Sequence, residues 1–227
     1  MSGGTCVLNF KAYPNSIGKR AIELAKIAEE VANETGQTII VCPNNLDLQA
    51  VAKEVSIPVY AQHVDINKLG AFTGSIPAKG VKNAGGKGSL INHSEKKLSL
   101  ERIELSIMRC REAEIKSVVC TADVYEAKQI ALFEPDFIAI EPPELIGTGV
   151  SVSTADPKIV SDTIYEINRI TKVNDLKRIP VLCGAGISSG EDIRKAMELG
   201  AEGVLLASAF VNAKDPKKLL TEMVQNL

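Results

Sequence analysis

The residues best suited to acid–base chemistry in this chain are Glu141, His93 and Lys11, and each stands where an apolar run gives way to polar or small residues. Glu141 ends the run Phe137-Ile138-Ala139-Ile140 and is followed by Pro142-Pro143, with Gly147 and Gly149 further on. This pattern predicts a buried strand with a carboxylate at its tip, then a stiff segment whose glycine hinges suit a lid. His93 lies in Asn92-His93-Ser94-Glu95, directly after Gly88–Ile91. Asn9 and Lys11 are two residues apart, so an extended segment would point both the same way. Gly184-Ala185-Gly186-Ile187 and Ala207-Ser208 are small-residue turns, which let backbone amides come close to an anion. Ser188 is a candidate helix cap after the first of these turns.

Each piece has a plainer reading alone. Lys11 could be a solvated rim lysine, His93 a hydrogen-bonded core histidine, and Glu95 a solvated acid or a partner that braces the site. The glycine pairs could simply close strand-to-helix turns, and Glu141 could be a solvated strand end. The argument for chemistry is that these groups gather at five strand ends.

The elements that would gather them alternate along the chain. Apolar, β-rich runs fall at Cys6–Phe10, Thr38–Cys42, Pro58–Gln62, Gly88–Ile91, Ser117–Cys120, Asp136–Ile140, Pro180–Cys183 and Gly203–Leu206. Helical spacing is clearest over Ser16–Glu34, closed by Gly36, and recurs at Leu98–Ala113, Pro157–Thr171 and Ser189–Leu199. Between Asp65 and Gly88 six glycines and prolines predict a long loop with one short helical piece. Ala127–Glu141 and Lys195–Ser208 repeat one helix–turn–strand pattern. Eight strands in alternation with helices indicate an α/β fold, a parallel sheet closed into a (β/α)8 barrel, with residues 1–227 as a single domain. In such a barrel the loops after the strands share one face, which is where the reactive residues fall.

Composition narrows the function. The chain has 227 residues, is 45% hydrophobic and 24% charged, and carries a net charge of −2, which suits a globular protein and does not suit a phosphate-neutralising nucleic-acid binder. No apolar run reaches the roughly 18 residues of a membrane span, and the short N-terminal run lacks the features of a secretory signal. The five cysteines are odd in number and show no C-x-x-C spacing, so they read as core residues of a cytoplasmic protein. Two histidines without clustered ligands make a metal site improbable, and no cofactor is expected.

Five segments together resemble the triosephosphate isomerase family, in the shorter form typical of archaea. They are Asn9-Phe10-Lys11, Ala71-Phe72-Thr73-Gly74, Asn92-His93-Ser94-Glu95, Glu141-Pro142-Pro143-Glu144-Leu145-Ile146-Gly147-Thr148-Gly149 and Cys183-Gly184-Ala185-Gly186-Ile187. The resemblance implies a TIM barrel that interconverts dihydroxyacetone phosphate and glyceraldehyde 3-phosphate through an enediolate, in glycolysis and gluconeogenesis. It implies Glu141 as the base, His93 as a neutral imidazole that polarises the carbonyl, and Lys11 as positive charge near oxyanion and phosphate. Asn9 would hold Lys11 or touch substrate, Glu95 would brace the site from behind, and the amides of Ile146, Gly147, Gly186, Ala207 and Ser208 would take the phosphate, helped by a helix starting near Ser208. It also implies self-association as a dimer or tetramer, with the loop Ala71–Ile76 as a subunit contact.

This chain departs from the family's common pattern at Glu144, where a tryptophan is usual, at Gly186, where a phosphate-binding serine is frequent, and at Asn92, where glycine is usual. Two other functions fit parts of the sequence. A different phosphosugar isomerase or a Schiff-base aldolase would share the Gly184–Ile187 turn, but an aldolase needs a lysine deep in the barrel where this chain has Glu141. A scaffold protein derived from such an enzyme would be expected to have lost Lys11, His93 or Glu141. Gly85-Gly86-Lys87-Gly88-Ser89 lacks the spacing of a nucleotide-binding loop.

Overall fold

The chain is described from a computed structural model over residues 4–142, 145 and 151–227. The strands are β1 (Thr5–Asn9), β2 (Thr38–Cys42), β3 (Tyr60–Ala61), β4 (Gly88–Ile91), β5 (Lys116–Thr121), β6 (Phe137–Ile140), β7 (Val181–Cys183) and β8 (Gly203–Leu206). They form one sheet in the order β2-β1-β8-β7-β6-β5-β4-β3, and its strand pairings are parallel. The two edges meet at a parallel bridge between Val41 and Val59, where the Val41 amide donates to the Pro58 carbonyl at 3.1 Å. The result is a (β/α)8 TIM barrel.

The strands read as continuous apolar runs because both of their faces are covered. Side chains alternate: Val7, Ile40, Leu90, Val118, Ala139, Leu182 and Leu205 fill the barrel interior with Tyr60. Their sequence neighbours, among them Leu8, Val41, Ile91, Val119, Ile140 and Leu206, pack outward against the helices. The helix Lys19–Thr35 buries Ala21, Leu24, Ala25, Ala28 and Val31 and ends at Gly36 with φ 72°, the left-handed cap that glycine adopts without strain. The helices Leu100–Glu112, Val124–Ala131, Pro157–Val173 and Gly190–Glu198 start from capping side chains of Ser99, Asp123, Asp156 and Ser189 respectively.

Three sequence expectations shift. Ser16 does not begin a helix; its hydroxyl is buried and donates to the Phe10 carbonyl at 2.7 Å, and the helix starts at Lys19. The third strand is two residues long, not five, because the Gln62 amide donates to the Asn45 side chain and the Gln62 carboxamide bonds the Lys11 and Cys42 carbonyls. Side chains here take the place of ladder bonds. The cap after β7 is Ser189 rather than Ser188, since Ser189 and Asp192 form a reciprocal capping box. The region after Asp65 holds one short helix, Ala78–Asn83, as expected from its glycines.

Candidate active site

Inward alternation carries past the strand ends and places the site. Asn9 lies two residues beyond Val7, Asn92 two beyond Leu90, Glu141 two beyond Ala139 and Gly184 two beyond Leu182, so all four continue the interior register at the same end of the barrel. The backbone at this end is unusual. Lys11, Asn92 and Ala185 have φ of 51°, 62° and 62°, a left-handed conformation that costs a non-glycine residue energy and is found where surrounding contacts over-determine it. Lys11 therefore does not sit on an extended segment beside Asn9, as the spacing suggests. The chain turns back at Lys11, and the Asn9 carboxamide oxygen accepts the Lys11 amide at 3.0 Å to hold that turn.

Lys11, His93, Glu141, Gly186, Ala207 and Ser208 line a cavity of about 280 Å³ together with Tyr13 and Asn212. Asn9 and Glu95 lie on a neighbouring cavity of about 320 Å³ that shares Lys11 and His93 with the first. The Lys11 ammonium donates to Glu95 at 2.7 Å; Lys11 is nearly enclosed, while 57% of the Glu95 side chain is exposed. Glu95 is thus at the rim and not behind the site, and its ion pair contributes direction to Lys11 more than stability. Ile146 and Gly147 lie outside the described residues, as do Pro143, Glu144 and 148–150 of the expected lid segment.

His93 is buried, and its Nδ1 accepts the Glu95 backbone amide at 3.2 Å. With Nδ1 as the acceptor in that bond, Nε2 is the ring nitrogen placed to donate. That Nε2 lies 3.9 Å from Glu141 Oε2, too far for a hydrogen bond and close enough for both to reach one small molecule. Glu141 is 5% exposed, and among the described residues its Oε2 has no hydrogen-bond partner. Its amide donates to the Thr121 carbonyl at 2.8 Å, which fixes the backbone beneath the carboxylate. Burial first, and then the Glu141 carboxylate alongside, hold the Cys120 thiol well above its ordinary value, so Cys120 stays a neutral neighbour.

Gly184 makes room for this carboxylate. A Cβ at that position would lie 2.3 Å from Glu141 Cγ and 2.9 Å from both Cδ and Oε1. The sequence marked Gly184 only as part of a turn. Tyr13 and Asn212 were also missed, because nothing in their local sequence brings them toward the strand ends. Among the described residues no group of three or more His, Cys, Asp or Glu side chains could hold a metal ion. No helix among them is long and apolar enough to cross a membrane.

The sequence model for triosephosphate isomerase matches residues 5–226. The chain belongs to the triosephosphate isomerase family. A triosephosphate isomerase of Methanocaldococcus jannaschii is 49% identical over 219 residues, covering 96% of this chain and 98% of that protein. One from Archaeoglobus fulgidus is 49% identical over 221 residues, covering 97% of each. The crystal structure of triosephosphate isomerase from Bartonella henselae superposes with a TM-score of 0.75 at 16% identity, covering 92% of this chain and 93% of that one, which speaks for the barrel fold.

Proposed function

We propose that the cavity at the ends of β1, β4, β6, β7 and β8 isomerises dihydroxyacetone phosphate and D-glyceraldehyde 3-phosphate by proton transfer through an enediolate. The observation that carries this reading is the buried Oε2 of Glu141, without a hydrogen-bond partner among the described residues, facing Nε2 of His93 across 3.9 Å. An acid–base pair this close fits a substrate whose carbonyl and adjacent carbon exchange roles. Glu141 takes the proton from the carbon beside the carbonyl while His93 Nε2–H donates to the carbonyl oxygen. The same two groups then return protons, Glu141 to the neighbouring carbon and His93 between the two oxygens. A neutral histidine in this role is the established pattern of this enzyme family, so the tautomer agrees with it and is not an independent discovery.

Lys11 supplies fixed positive charge at the cavity wall, where developing negative charge on oxygen and the phosphate both gain from it. The phosphate falls to backbone amides near Gly186, Ala207 and Ser208. Ala207 offers no side-chain cap to the short helix Ser208–Val211; the Phe210 and Val211 amides donate to the Ala207 carbonyl at 3.2 Å, which leaves those of Ser208 and Ala209 for a ligand. Ile146 and Gly147 of the lid would complete this contact and keep water from the enediolate.

The protein works as a cytoplasmic homo-oligomer in this reading. In support, its five cysteines are unpaired and buried. Leu69 and Phe72 are exposed on the loop whose base is closed by Asp65 and Ile76, and the second cavity beside Lys11 and His93 offers room for such a loop from another copy. The test of function is turnover of glyceraldehyde 3-phosphate by the wild-type protein, coupled to glycerol-phosphate dehydrogenase, with Glu141→Gln alongside. Rapid turnover lost in the variant supports the reading. An inactive, folded wild-type protein in each of its oligomeric states overturns it.

A further inference from the structure

We propose that Asn92 is a positioning residue for the reaction, a three-way clamp that sets the loop carrying His93 and ties it to the strand beside the base. The proposal rests on the reaction assigned above. Asn92 is 1% exposed and adopts φ 62° immediately before His93. Glycine would make that turn with less strain, so the turn alone does not explain an asparagine. What the side chain adds is three hydrogen bonds.

Its carboxamide nitrogen donates to the Cys120 carbonyl of β5 and to Glu126 Oε1, each at 2.9 Å, and its oxygen accepts the Leu98 amide at 2.9 Å. The last of these closes the loop 92–98 on itself, and that loop carries His93 together with Glu95. Glu126 reinforces the closure from outside. It accepts the Lys97 ammonium at 2.8 and 3.0 Å on its two oxygens, and the Ala122 amide at 2.6 Å. Cys120, whose carbonyl receives the first bond, is the residue whose thiol sits against Glu141. One buried amide therefore links the loop holding the acid to the strand flanking the base. Both amide protons are used and the oxygen is occupied, as a polar group at this depth requires.

Asn92→Gly keeps a residue that accepts the left-handed turn and removes all three bonds. With His93 less firmly held, kcat should fall about tenfold, within the up to 10²-fold that ~1 Å of misplacement can cost. The KM and inhibition by inorganic phosphate should stay within about twofold of wild type, because the amides near Gly186, Ala207 and Ser208 lie outside this loop and Asn9 still holds the turn at Lys11. Asn92→Asp keeps the size and the acceptor for Leu98 but sets a carboxylate against Glu126, with Lys97 the nearby cation. Two carboxylates in contact favour sharing one proton. The ratio of Asn92→Asp to wild-type kcat should therefore rise as the pH is lowered from 8 to 6, a response that simple loss of packing would not give. Asn92→Gly with kcat within twofold of wild type, a KM rising in step with the loss of kcat, or a flat Asn92→Asp ratio would each overturn the clamp. Should Asn92→Gly fail to fold, the pH course of Asn92→Asp decides. Inactive wild type would instead remove the reaction on which the clamp depends.

Discussion

Replacing Gly184 with alanine puts the geometry of the base under direct strain. The new methyl would stand 2.3 Å from Glu141 Cγ, whereas carbon atoms rest at roughly 3.5–4.0 Å, so one group must move by about 1.2 Å or more. Gly184 is anchored, since its amide donates to the Ile140 carbonyl at 2.9 Å, and Cγ is the buried stem of Glu141 rather than a flexible tip. The carboxylate is what gives way. A displacement of this size costs about 10²-fold in rate, or roughly 2.7 kcal/mol in the barrier. Overpacking also costs about 1–3 kcal/mol of stability, so kcat and KM should be measured in the coupled isomerase assay at a temperature where circular dichroism shows the variant folded. The expected outcome is kcat near 1% of wild type, with the loss in kcat larger than any rise in KM, because the new methyl meets the Glu141 side chain directly and reaches the Gly186 amide only through the backbone of the turn. A kcat within threefold of wild type would refute the assignment of Gly184 as the space that aims Glu141.

Three further perturbations separate the roles. His93→Gln should lower kcat by about 10²–10⁴-fold with little change in KM, as expected for loss of a general acid, and steady-state kinetics check it. Lys11→Met should weaken inorganic phosphate inhibition and lower kcat together, since one cation serves both phosphate and oxyanion; unchanged phosphate affinity counts against it. His63 has its pKa lowered by burial, which outweighs the opposing hydrogen bond to Asp65 at 3.1 Å. Unfolded His63 therefore binds a proton below about 6.5 that the folded form resists, so stability falls as pH drops through that window. His63→Asn should flatten the slope of unfolding free energy between about pH 6.5 and 5 in denaturant titrations; an unchanged slope would show that the folded protein takes up that proton freely.

Much of the fold is legible in the sequence because several strands are apolar runs with sharp edges. Thr38–Cys42 lies between Gln37 and Pro43, Gly88–Ile91 and Gly203–Leu206 each open on a glycine, and all three match the structure to the residue. β3 is not legible in this way, because Gln62 and Asn45 satisfy backbone groups that a ladder would otherwise take, and no local pattern announces side chains in that role. Ser16 opens the helical spacing but spends its hydroxyl on Phe10, a contact set by the tertiary fold. At the site, residue types at strand ends identified Lys11, His93 and Glu141 as a group, and the cavity brings these three together. The left-handed turn at Lys11, the clearance at Gly184 and the clamp at Asn92 depend on which strands are neighbours and on their register. Those relations belong to the closed barrel and leave no mark on any single segment.

The central claim is that Glu141 carries a proton between two carbons, and turnover of dihydroxyacetone phosphate in deuterium oxide tests it most directly. A carboxylic acid formed on the enzyme exchanges its proton with solvent, so part of the glyceraldehyde 3-phosphate formed should carry deuterium at the carbon beside the aldehyde by NMR, and Glu141→Gln should abolish both turnover and label. Wild-type turnover with no deuterium in the product, or a Glu141→Gln variant that isomerises at the wild-type rate, would contradict the account.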